Sequence, residues 1–331
     1  MRALRLAALA AVAAASASAQ PQAIVAAAAD HVEGHYVFPD RGTEIADHLR
    51  ARIEAGAYPD GLGPDSLVDR LTRDLRAVNG DKHLKVEHLD ADAADDAAWL
   101  NDAVERGRTT NHGFTEARVL DGNVGLLRVE QFADPRRARP ALERGLAFLD
   151  PTEAMIVDLR GCPGGHGQLM HLLLSRFFES PEPLATVETA VGTVHELRTP
   201  PDAPGRSRVG EPLFVLVDED TGSAAEFFTY TLQANGAATV VGETSSGAAH
   251  MIRIFDLPST AGRYRVHVSV ARPVVAATGT NWEGVGVHPD VAVAPTEAPA
   301  VAHRLAVEAL LDRASGAARD RLAAALAALA E

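Results

Sequence analysis

Two short apolar runs, residues 154–159 and Leu213–Val217, each lead through a turn of small residues into a helical pattern, and this alternation constrains the fold most. Runs of five or six apolar residues are too short for a core helix and suit strands buried on both faces. Such strands need helices packed on either side, which is the arrangement of a parallel α/β sheet. The same rhythm holds from residue 109 onward. Strands are expected at 124–129, 154–159, 213–217, 239–241 and 264–273, a Pro-Asp turn within 285–293, and helices at 140–148, 168–178 and 224–234. Residues 297–330 form one or two Ala/Leu/Arg helices that close the fold.

The first hundred residues follow another pattern. Apolar positions recur at helical spacing over 24–32, over 44–54 (Ile45, Leu49, Ile53) and over 67–78 (Leu67, Leu71, Leu75). Asn79-Gly80 stops the third helix, residues 84–88 read as a short strand, and 91–108 as an acidic, Ala-rich helix and linker. The organisation expected is a signal peptide at 1–19, an N-terminal helical domain at 20–108, an α/β core at 109–295 and C-terminal helices at 296–331. Arg2 and Arg5 precede an apolar stretch that ends in Ala17-Ser18-Ala19, the form of a cleavable secretory signal cut before Gln20. That places the mature chain in the periplasm or outside the cell, without stable membrane insertion after cleavage. A lone cysteine, Cys162, rules out an internal disulfide. The formal charge of −14 and the absence of any basic cluster speak against nucleic acid as a partner.

Two segments carry candidate chemistry. In Leu216-Val-Asp-Glu-Asp-Thr-Gly-Ser223-Ala-Ala-Glu226, a buried strand runs into a loop and a helix begins at Ser223. The Ala224 amide, in the first turn, has no intrahelical acceptor and could receive a developing oxyanion. Ser223 and Glu226 equally form a Ser-x-x-Glu capping box, a structural device. The second segment, Asp158-Leu-Arg160-Gly161-Cys162-Pro163-Gly164-Gly165, is a strand followed by a glycine turn that lets backbone approach a ligand. It matches neither a dinucleotide fingerprint nor a phosphate-binding loop. His31 and His35 stand at i, i+4 but lack the glutamate placement of a zinc helix, and they read as surface histidines with no metal or cofactor assigned.

Together these segments resemble the tail-specific (C-terminal-processing) serine peptidases, in the branch that includes the interphotoreceptor retinoid-binding protein modules and the tricorn protease core. His35-Tyr-Val-Phe-Pro39, Asp81-Lys82-His83-Leu84, residues 123–129, Asp158 to Gly165, Ser223-Ala-Ala-Glu226, Val241-Gly-Glu-Thr244 and Trp282-Glu283-Gly to Asp290 match its segments in order. The resemblance implies an N-terminal helical domain on a crotonase/ClpP-like core of ββα units. About forty residues between His83 and Val124 leave no room for a PDZ insert.

One branch of that family uses a Ser–Lys dyad. Here Ala248 occupies the lysine's place, and the chain has only two lysines, Lys82 and Lys85. The other branch uses a Ser–His–Glu triad, and the matching positions are Ser223, His83 and Glu283, with Gly164 and Ala224 as oxyanion-hole amides. Serine needs an adjacent base, imidazole titrates in the useful range, and a carboxylate on the far ring nitrogen fixes its tautomer. The implied substrate is a peptide or protein. An apolar-ligand carrier with a silent site, and an esterase using the same triad, are the alternatives. Lys82 where glycine is common and Cys162 where asparagine is usual depart from the family pattern, and Cys162 is a rival nucleophile.

Overall fold

The computed structural model describes residues 20–89, 105, 107–179, 181–200, 205–259 and 262–329. The predicted signal peptide and most of the predicted 91–108 helix lie outside these residues. In chain order the elements are α1 (Gln20–His35), α2 (Pro39–Glu54), α3 (Pro64–Arg76), β1 (Lys85–Leu89), β2 (Phe114–Leu120), β3 (Val124–Val129), α4 (Pro135–Leu149), β4 (Ala154–Asp158), α5 (Gly167–Leu174), β5 (Pro183–Thr189) and β6 (Gly192–Arg198). They continue with β7 (Leu213–Val217), α6 (Ala224–Ala234), β8 (Thr239–Gly242), β9 (Met251–Leu257), β10 (Arg263–Val275), β11 (Val291–Ala292), α7 (Ala298–Arg313) and α8 (Gly316–Ala328).

The chain forms two compact units. The first comprises the described residues up to 89 together with Glu188–Val194 and His250–Arg272. Pro39 and Pro64 open α2 and α3 at positions where a missing N–H costs nothing. Leu67, Leu71 and Leu75 of α3 are buried, as are Ile24, Val25, Ala28 and Val32 of α1. Gly42 lets α1 and α2 meet closely, because a Cβ there would stand 2.9 Å from the Val32 carbonyl oxygen. These helices share a core with Leu257, Tyr264, Val266 and Val268 from strands β9 and β10. β10 pairs antiparallel with β1 on one side and with β9 on the other.

The second unit holds a sheet in the order β11-β8-β7-β4-β3-β2. All neighbours are parallel except the β2–β3 hairpin, whose turn uses Gly122 and Asn123 at positive φ. Period-two alternation explains the unbroken apolar runs. Met155, Val157, Leu213, Val215 and Val217 face a core built with α4, α5 and α6, while Ala154, Ile156, Phe214 and Leu216 face one built with α7 and α8.

The mixed α/β class with N-terminal helices is as expected, and β3, β7 and α6 have the expected bounds. Strands β2, β5, β6 and β9 are not anticipated by the sequence reading, nor is β11, the two-residue strand Val291–Ala292. No described helix is long and apolar enough to cross a membrane.

Candidate active site

Three loops follow the C-terminal ends of β4, β7 and β8 in the second unit, the end of a parallel sheet where ligands usually bind. Asp218 ties the first two loops together. Its Oδ1 accepts the Gly161 N–H at 2.9 Å, and the Thr221 hydroxyl donates to the Leu159 carbonyl at 2.9 Å. The Gly222 N–H donates to the Cys162 carbonyl at 2.9 Å.

These bonds bring Gly164, Ser223 and Ala224 together. Gly164 has φ +97°, and a Cβ on it would lie 2.6 Å from the Gly222 carbonyl oxygen, 2.7 Å from Ala224 N and 2.9 Å from Ser223 Cβ. Only glycine fits there. Its carbonyl accepts the Phe132 N–H at 2.9 Å, which fixes the peptide plane. Ser223 precedes α6 with φ +52° and ψ −116°, a backbone state rare for a residue with a side chain. Among the described residues the Ala224 N–H meets no acceptor, and it lies at the positive end of the α6 dipole.

Glu226 does more than the capping-box reading supplies. It is fully buried, and its Oε2 accepts the Ser223 N–H and the Ala248 N–H, each at 2.9 Å. Its Oε1 accepts the Ser245 hydroxyl and the Gly247 N–H, each at 2.6 Å. One carboxylate therefore holds both the serine and the turn where the lysine of the other branch would stand. Ser245 Oγ also accepts the Val287 N–H at 2.7 Å, and the Gly284 N–H donates to the Gly247 carbonyl at 3.0 Å. This places the Glu283 loop on the same turn, and Glu283 Oε2 accepts the Ala249 N–H at 2.6 Å.

His83 belongs to the first unit, on the loop before β1. It is half-buried, and its Nδ1 is buried without a hydrogen-bond partner. Burial pulls the imidazole down to about 4, against the opposing pull of Asp81, with His250, His267 and Lys85 adding to the lowering. Sequence reasoning missed His250 of this unit, whose Nδ1 lies 2.9 Å from Asp81 Oδ2. The signal was present, since His250 stands two residues after Ala248 and Asp81 two before His83.

Cys162 is fully buried in the apolar core, and burial pushes its thiol up to about 12 although a hydrogen bond from the Gly164 backbone acts the other way. A thiol so protonated is a poor nucleophile. His31 and His35 pack their rings against Phe255, with centroids 4.5 Å away in each case, and His35 Nδ1 lies 3.0 Å from the His31 carbonyl oxygen. Asp158, behind the glycine turn, is buried in ion pairs with Arg160 at 2.6 Å and Arg128 at 2.9 Å. A cavity of about 640 Å³ lies at the far end of β7, beside Leu213 and Arg313, away from these residues.

The chain is similar to known proteins over much of its length. The chain is 34% identical over 143 residues to a carboxyl-terminal-processing protease of Picosynechococcus sp., a match covering 42% of this chain and 32% of that protein. It thus spans about a third of the length of the curated relatives it matches. Among solved structures, a lipoprotein from Streptococcus agalactiae superposes with a TM-score of 0.61 at 14% identity, covering 88% of this chain and 97% of that one. The photosystem II D1 C-terminal processing protease superposes with a TM-score of 0.53 at 16% identity, covering 91% and 99%. These likenesses share the fold. The model of the N-terminal domain of peptidase S41 in eukaryotic IRBP matches residues 7–109. The peptidase family S41 model matches residues 123–293, from the start of β3 to just past β11, and the chain belongs to that family.

Proposed function

We propose that this chain is an exported serine peptidase that hydrolyses peptide bonds in a peptide or protein substrate. Ser223 Oγ attacks the scissile carbonyl, and His83 takes its proton and returns it to the leaving amine. Glu283 orients the imidazole through Nδ1, the ring nitrogen that is buried without a partner. The Gly164 and Ala224 amides receive the oxyanion, each such donor contributing roughly 3–4 kcal/mol to transition-state stabilisation. Water then releases the acyl group by the same steps in reverse roles. No metal or organic cofactor enters these steps.

The observation that carries this reading is the conformation of Ser223. A positive-φ serine at a helix start, with Gly164 and the unengaged Ala224 amide packed around its Cβ, is the arrangement an activated nucleophile needs. The absence of lysine beyond Lys85 speaks against a Ser–Lys dyad, and His83 is the position that the resemblance matches to the base of the other branch. A fluorophosphonate probe tests this without a known substrate. Labelling is expected in wild type and in Cys162→Ser, and is lost in Ser223→Ala and His83→Ala. A folded wild-type protein that takes no label would overturn the reading.

A further inference from the structure

Beside the proposed base lies a buried pair that the reaction as drawn does not use. Asp81 is 2% exposed and collects three donors. Its Oδ1 accepts the backbone N–H of His83 at 2.9 Å, and its Oδ2 accepts the Tyr36 hydroxyl at 2.8 Å and lies 2.9 Å from His250 Nδ1. His250 is itself buried, with its ring edge-on to Phe38 and Tyr36. We propose that the Asp81–His250 pair positions the His83 imidazole, Asp81 anchoring the loop that carries it and His250 keeping that anchor ionised and aimed. The inference rests on the reading of His83 as the base.

His83 Nδ1, the nitrogen that Glu283 would engage in the reaction, is without a hydrogen-bond partner in this structure, and the residue is held here by its backbone. Arg76 grips the Lys82 and Leu84 carbonyls at 2.7 and 2.8 Å, on either side of His83, and Asp81 grips the N–H between them. Asn79 adds a second layer, accepting the Asp81 N–H at 3.3 Å and donating to the Tyr36 hydroxyl at 2.6 Å. Asp81 is the one carboxylate in this loop, and a buried carboxylate persists only with enough donors. Burial alone would raise it, yet the hydrogen bond and charge of His250, followed by the Ser269 and Tyr36 hydroxyls, hold it at about 2. The charged groups around His83 are then Asp81, His250, His267 on β10, Lys85 on β1 and Arg76 on α3, with Glu87 paired to Lys85 and His267.

Chain connectivity gives the pair a further meaning. His250 follows Ala249 directly, and Ala249 ends the turn whose Ser245, Gly247 and Ala248 are held by Glu226, the carboxylate that also holds Ser223. The residue that aims the base loop is therefore continuous in sequence with the turn that braces the nucleophile.

The test uses the whole protein and two readouts. These are the maximal rate of fluorophosphonate labelling with its half-saturating probe concentration, and the titration of the His83 imidazole by NMR. In His250→Asn the amide nitrogen takes the place of Nδ1 and keeps the donor to Asp81, so labelling should stay within about threefold of wild type, whereas His250→Ala should lose about tenfold or more, in the maximal rate rather than in probe affinity. Asp81→Asn should move the His83 midpoint further down, because a neighbouring carboxylate favours the imidazolium. Tyr36→Phe removes a donor from the same oxygen and gives a milder comparison should His250→Ala fail to fold. The proposal is overturned if His250→Ala and Asp81→Asn leave both readouts at wild-type values. It is equally overturned if His250→Asn falls as far as His250→Ala while the His83 titration stays put, the signature of a pair that only supports the fold. Folded wild type that never labels overturns the peptidase reading instead, and the His83 titration alone then decides the pair.

Discussion

Ser223, at φ +52°, occupies a region that costs a non-glycine residue about 1–3 kcal/mol, and the Glu226 bond to its N–H is what the surrounding structure supplies to hold it there. The sequence could place a serine at a helix start, but it could not say that this serine would be strained, because Ser-x-x-Glu is also the pattern of an ordinary cap. His83 presents the reverse case. Its motif was legible, while its environment was not, since burial depends on segments far along the chain. That environment sets a pH prediction. The proposed general base must be neutral to act, and burial holds His83 near 4 rather than 6.5, so its neutral form persists down to about pH 4. The acid limb of labelling should lie near pH 4, read from rates between pH 3.5 and 8 where the protein remains folded; a limb at about 6.5 would contradict the burial. The same depression makes stability fall as pH drops from 6.5 toward 4, because over that window the unfolded chain binds a proton that the folded one refuses.

Elements buried on both faces were the easiest to read, since β4 and β7 owe their unbroken apolar runs to cores on either side. β6 and β9 escaped because they are largely exposed and carry no alternation to betray them, with Val194, Met251, Ile252 and Ile254 facing solvent. The α6 helix was bounded from sequence, yet its third residue proved to be the centre of a wider structure. Glu226 accepts four donors, two on each oxygen. Glu226→Gln must turn an NH2 group toward two of them, and each buried donor left unpaired costs about 1–3 kcal/mol. Denaturant unfolding should therefore show a loss of at least that size, together with loss of probe labelling at temperatures where the variant is still folded. Wild-type stability in Glu226→Gln would mean that the turn at 245–248 does not depend on the carboxylate.

At the scale of the molecule, the first unit is assembled from segments distant in sequence: its helices pack on Leu257, Tyr264, Val266 and Val268, and β1 pairs with β10. Local periodicity predicts the helices and is silent about what covers them, which is why the strand partners were not legible. A fragment ending at residue 108 keeps α1 to α3 and loses that cover. It should show no cooperative thermal transition by circular dichroism, whereas a sharp melt would show that the helices suffice alone. The Glu226 brace also bears on what the 245–248 turn can accommodate. Ala248 is buried, and its N–H is pinned to a carboxylate. A longer side chain at 248 would have to leave a buried position while its own N–H stayed on the carboxylate. Through Glu226 the turn and Ser223 are one hydrogen-bonded unit, so a change that displaces the turn is felt at the serine.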